Sequence, residues 1–186
     1  NTIAFIIGGS AVMMEEWKNE VPAILFSGYH GMNGALSMPQ IIFGEKSPSG
    51  KLPFTIPANE NQLPNFPELP LSIEYGRYHG YTLIDKTKEI PAFSFGYGMS
   101  YTTFNITTQA LSDTTFAEGD TLKIIVSVKN TGNVDGAEVV QAYVHFNQNS
   151  VVEQPEKLLK AFKKVFLKAG ETQIIELKIP VSEMAY

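Results

Sequence analysis

GYHGMNGALSMPQIIFGEKSPSGKLPFTIP, residues 28–57, is the stretch whose punctuation decides the fold. Gly28, Gly31 and Gly34 open a segment that predicts a helix over Ala35–Phe43. Gly44 closes it, Ser47-Pro48-Ser49-Gly50 reads as a turn, and Lys51–Ile56 follows as an extended run. A glycine loop, a helix, a turn and a strand are the parts of one unit of an open α/β sheet. In such sheets the loops beyond strand ends line binding crevices.

Working outward, Thr2–Ile7 (TIAFII) is a continuous apolar run, as expected for a strand of a parallel sheet buried on both faces. Gly8-Gly9-Ser10 makes a loop. Met13–Asn19 suggests one or two helical turns with Trp17 packed inward, and Pro22–Phe26 is the next buried strand. Three strands and one good helix within residues 1–58 cannot cover both faces of a parallel sheet. This segment is therefore expected to complete its core with polypeptide outside the sequence or with another chain. Asn1 stands where a natural start carries Met, so residue 1 reads as a cut.

Residues 59–98 lack sustained periodicity and read as an extended connector lying on domain surfaces. Pro64, Pro67 and Pro70 keep it open, while Leu63, Phe66 and Leu69 need cover. From residue 99 the code changes to alternation. Phe104, Ile106 and Thr108 alternate, Leu122, Ile124, Val126 and Val128 share one face, and Val139, Gln141, Tyr143 and His145 oppose Val140, Ala142, Val144 and Phe146. Lys160–Leu167 and Thr172–Ile179 give two more strands around the turn Ala169-Gly170-Glu171, and Asn130–Gly136 is a second turn cluster. Short strands at this spacing predict an antiparallel β-sandwich over 99–186.

The 186 residues suffice for one or two domains, and 44% hydrophobic against 18% charged residues implies a real core. A net charge of −5 argues against nucleic acid, which needs clustered Lys and Arg. The basic run KLLKAFKK, Lys157–Lys164, reads as a charged strand edge or a solvated face. With no cysteine there are neither disulfides nor thiolate metal sites, and His30, His79 and His145 lack ligand spacing. No apolar run reaches the roughly 18 residues that span a bilayer, so no membrane is expected. Absence of cysteine favours a cytoplasmic protein while leaving a secreted bacterial one open.

Several blocks resemble glycoside hydrolase family 3, the β-glucosidase family. FGEKSPSGKLPFTIP, residues 43–57, matches its text almost throughout, and FGYGMSYTTF, residues 95–104, is similar to a further block. VKNTGNVDGAEVVQAYV, residues 128–144, and LKAFKKVFLKAGET, residues 159–172, resemble the fibronectin type III-like domain that ends many such enzymes. The sequence departs at His30, Met32, Asn33 and Ala35, where the family carries Pro, Gln, Glu and Gly. The resemblance implies that residues 1–58 end the family's α/β sandwich domain, that 59–98 connect, and that 99–186 form a fibronectin type III-like (immunoglobulin-like) sandwich lacking its last strand.

A retaining glycosidase needs two carboxyl groups about 5–5.5 Å apart. In the family these are an Asp on a barrel domain and a Glu upstream in the α/β domain, and neither matches a residue here. The resemblance thus implies a non-catalytic part of a β-glucosidase, with no catalytic residue, no cofactor and no metal in this chain. Its partners would be the barrel and the rest of the α/β domain, in the same or a separate chain, and a β-glucoside or oligosaccharide in the intact enzyme.

Glu15 and Glu16 are adjacent and diverge on a helix, Glu45 reads as a solvated turn carboxylate, Asp85-Lys86 as a structural turn, and Asp113, Asp120 and Asp135 as Asx turns. Tyr29, His30 and Asn33, on the glycine loop, are the substrate-proximal candidates. For His30, loop structure stands beside substrate contact as a reading. Tyr75, Tyr78, Tyr81, Phe93, Phe95, Tyr97 and Tyr101 could stack on sugar faces, but packing also calls for such side chains. Two other functions remain: a stand-alone fibronectin type III-like binding or adhesion module, for which residues 1–58 are superfluous, and a structural subunit of a split glycosidase.

Overall fold

The computed structural model describes residues 2–65, 71–72, 76–113, 115–146 and 153–184. The chain forms two compact units, Asn1–Ser37 with Lys51–Tyr97, and Met38–Gly50 with Gly98–Tyr186.

In the first unit, β1 (Ile3–Ile7) and β2 (Ala23–Ser27) pair in parallel, Ile3 opposite Ala23 through Ile7 opposite Ser27. Parallel pairing demands a crossover, supplied by residues 8–22. Its turn is closed by the amides of Trp17 and Lys18, both donating to the Met14 carbonyl (3.2 and 2.7 Å). Trp17 packs inward as expected, beside Ile24, Phe26, Leu52, Phe54 and Phe93, onto a core of Met14, Ile56 and Ala92.

Two expectations fail here. β1 is not buried on both faces: Ile3, Phe5 and Ile7 are 48%, 37% and 54% exposed, because side chains alternate and the core covers the other face only. Nor does Lys51–Ile56 form a strand. Ile56 makes one antiparallel bridge with Phe93, and Leu52 exchanges hydrogen bonds with Tyr97 and Gly96. Pro53, within the run, and Pro57, just after it, have no N–H to donate, so no ladder propagates.

α1 (Gly34–Ile42) matches the expected helix to within a residue at each end and is led in by a 3-10 turn at Gly31–Asn33. Gly44 closes it in the left-handed conformation, φ +78°. A second helix, α2 (Tyr81–Thr87), lies where the sequence suggested only a connector. Asp85 and Lys86 therefore sit on a helix and not in a turn. Seven residues make two turns, too short for a helical period to stand out. Leu63 is 48% exposed, while Phe66, Leu69 and Tyr75 lie outside the described residues.

The second unit contains the sandwich. β3 (Phe104–Leu111), β4 (Thr121–Asn130) and β7 (Thr172–Pro180) form one antiparallel sheet in the order β3-β4-β7. β5 (Gly136–His145) and β6 (Lys157–Leu167) form the other. Val126, Val128, Val140, Val165, Leu167, Ile175 and Leu177 close the core between them. Fully burying such a side chain contributes about 1.5–3 kcal/mol. The anticipated faces of β4 and β5 are found, with Val126, Val128 and Val140 inward, and Gly170 makes the expected turn at φ +77°. β3 is exposed beyond Phe104. No helix among the described residues is long and apolar enough to cross a membrane.

Candidate functional site

Parallel strands send their carboxyl ends to the same edge of a sheet, and loops beyond that edge are where α/β sheets take ligands. In the first unit those loops are Gly8-Gly9-Ser10 after β1 and residues 28–33 after β2. Tyr29, His30 and Asn33 all lie on the second. Tyr29 is 82% exposed, yet its ring is seated on Gly9: a Cβ built there would stand 2.7 Å from the ring. Asn33 is exposed, and its carbonyl accepts from Ser37 Oγ at 3.1 Å. Gly31 turns the loop at φ +55°, which a side chain rarely tolerates.

His30 faces the opposite way from its neighbours. Its Nδ1 lies 2.9 Å from Ser27 Oγ and 3.2 Å from the Gly28 carbonyl. Its ring stacks on Phe5 of β1, centroids 6.0 Å apart and planes 26° from parallel. The same ring occupies the space above Gly34, where a Cβ would fall 1.4 Å from the imidazole Cδ2.

The loop thus offers a phenol and a primary amide to solvent, groups that hydrogen-bond hydroxyls but supply no acid pair. Four of the acidic residues considered above are engaged elsewhere. Glu15 pairs with Lys18 at 2.6 Å. Asp113 accepts from the amide of Thr115, Asp120 from that of Ala117, and Asp135 from that of Ala169. Among the described residues no group of three or more His, Cys, Asp or Glu could hold a metal.

The aromatic residues behave as packing groups. Tyr81 lies on Phe95 at 4.8 Å and Phe93 on Tyr97 at 5.3 Å between centroids, with Lys86 Nζ 4.0 Å above Tyr78. Tyr101 donates through its hydroxyl to the Ile41 carbonyl at 2.7 Å. The residues that sequence reasoning passed over are the seats: Gly9, Gly34, Ser27 and Phe5. The spacing Ser27-x-x-His30-x-x-x-Gly34 was the available signal.

The family model described as glycosyl hydrolase family 3 C-terminal domain matches residues 1–101, and that of the fibronectin type III-like domain matches residues 138–186. A β-glucosidase of Bacteroides ovatus is 37% identical over 188 residues, 96% of this chain and 25% of that protein. A β-xylosidase of Formosa agariphila is 38% identical over 183 residues, 98% of this chain and again 25% of that protein. Among solved structures, a β-glucosidase of Thermotoga neapolitana in complex with glucose superimposes with a TM-score of 0.89 at 33% identity, covering 98% of this chain and 26% of its own. The chain spans about a quarter of the length of the curated relatives it matches. With a matching domain model over more than half its residues, the chain belongs to glycosyl hydrolase family 3.

Proposed function

We propose that this chain is the non-catalytic part of a retaining β-glycosidase. Residues 1–58 end the α/β sandwich domain, 59–98 connect, and 99–186 form the bracing sandwich. The observation that carries the reading is the match in sequence and fold to a quarter of enzymes named for β-glycoside hydrolysis. The open face of β1 supports it, since a parallel sheet is covered on both sides in a finished domain. The remaining polypeptide of the enzyme would cover Ile3, Phe5 and Ile7 and bring the nucleophile and the acid/base. The reaction is hydrolysis of a terminal β-D-glucosyl or related residue, a two-carboxylate chemistry that uses no metal.

In this reading Tyr29, His30 and Asn33 stand beside the sugar site as part of its wall. A β-glucosidase and a β-xylosidase resemble the chain almost equally, so the choice of sugar is made by residues outside it. The test is an aryl β-glucoside assay of the 186-residue chain beside the whole enzyme. The chain alone is expected to show no turnover above buffer while the whole enzyme is active. Turnover by the isolated chain at an enzyme-like rate would sink the reading.

A further inference from the structure

We propose that His30 is a positioning residue, a latch that fixes the loop 28–33 to the carboxyl ends of β1 and β2 so that Tyr29 and Asn33 are presented in one geometry. One side chain touches every element the loop joins. It reaches back to Ser27, the last residue of β2, sideways to Phe5 on β1, and forward to Gly34, the first residue of α1. The backbone of His30 lies at φ −95°, ψ 3°, the conformation of the third residue of a type I turn.

A serine beside a histidine also raises nucleophilic catalysis, and the hydrogen bonds argue against it. Both hydrogen bonds of the ring run through Nδ1, to Ser27 Oγ and to the Gly28 carbonyl, and among the described residues no acidic side chain reaches it to orient it as a base. The Ser27 hydroxyl itself donates to the Gly28 carbonyl at 3.2 Å. Serine, imidazole and carbonyl form a closed ring of bonds at the root of the loop, which is a brace rather than a base and its nucleophile.

Gly34 is the counterpart of the latch, because any side chain would displace the imidazole.

The value of the loop to sugar binding rests on the function proposed above, whereas its restraint by His30 does not. The experiment is amide hydrogen exchange over residues 28–34 in the whole enzyme, with aryl β-glucoside kinetics on the same samples. His30→Ala is expected to speed exchange in residues 29–33 by about tenfold or more. It should also raise KM with little change in kcat. Unchanged exchange in His30→Ala overturns the latch. If His30→Ala does not accumulate folded, Ser27→Ala decides: faster exchange confined to the loop supports the latch, and none overturns it. Tyr29→Ala separates the two ideas. A loosened loop in His30→Ala, with KM unmoved in both that variant and Tyr29→Ala, leaves the latch standing and removes the loop from the sugar site.

Discussion

Asn130 is the most constrained side chain of the sandwich unit. It is fully buried, and its amide uses all of its capacity. The oxygen accepts from Thr102 Oγ1 (2.6 Å) and the Gly132 amide (3.1 Å), and the nitrogen donates to the carbonyls of Val134 (2.8 Å) and Leu167 (3.2 Å). One residue thus ties the approach to β3, the β4–β5 turn and the end of β6. Asn130→Ala leaves several of these groups buried and unpaired, so the sandwich should lose about 2–4 kcal/mol. Asn130→Asp keeps the shape but sets a carboxylate oxygen against two carbonyls, and should be at least as damaging. Trp17 is the only tryptophan and lies in the other unit, so the two signals separate. Urea unfolding followed by far-UV circular dichroism should move in Asn130→Ala while Trp17 fluorescence stays. A loss below about 0.5 kcal/mol would refute the role. Asn130–Gly136 was legible as a turn cluster from its Asn and Gly content. That Asn130 points inward was not, because turn asparagines also face solvent, and only the third dimension brings Thr102 and Leu167 to it.

At the scale of elements, the strands of the sandwich were readable because a period of two survives in eight to eleven residues. Two elements were not. α2 is too short to declare a period, and the apolar content of Lys51–Ile56 suggested a strand that Pro53 and Pro57 forbid. The glycine loop after β2 was legible as a candidate site from position alone, while the ring of contacts around His30 was not, since Phe5 lies 25 positions away. Among the described residues β6 pairs with β5 alone and so is an edge strand, one of the two readings its lysines allowed. A bulge places Lys160 as an extra residue opposite the Ala142–Tyr143 step. Lys163 and Lys164 are exposed between Phe162 and Phe166, which are 69% and 62% exposed. Charges so placed oppose pairing with a second edge. Replacing both lysines by valine should raise association, read as a larger scattering mass at equal concentration, whereas replacing both by glutamate should not. Equal behaviour of the two pairs would show that the charge guards nothing.

The two units differ in the size of their buried apolar clusters, and this decides the behaviour of the whole chain. The sandwich closes on seven buried apolar residues from four strands, whereas three buried residues anchor the parallel-strand unit. A parallel pair with one bare apolar face gains little of the burial that offsets chain entropy, about 1–2 kcal/mol per residue for the backbone. Local opening should therefore be far easier in β1 and β2 than in β4, β6 and β7. Amide exchange on the 186-residue chain is expected to run at least about tenfold faster over Ile3–Ile7 and Ala23–Ser27 than over Thr121–Asn130 and Thr172–Pro180. On the function proposed above the gap should narrow in the whole enzyme, where further polypeptide would cover Ile3, Phe5 and Ile7 and remove that apolar surface from water. Ile3→Thr with Ile7→Thr makes the argument specific. The pair should cost the isolated chain almost nothing, since the side chains are exposed there, and should destabilise the whole enzyme by about 1–3 kcal/mol, read as a fall in its thermal midpoint. If the same two substitutions leave the whole enzyme unchanged, the face is solvent-exposed there too, and the slow-to-fast contrast between the units needs another cause.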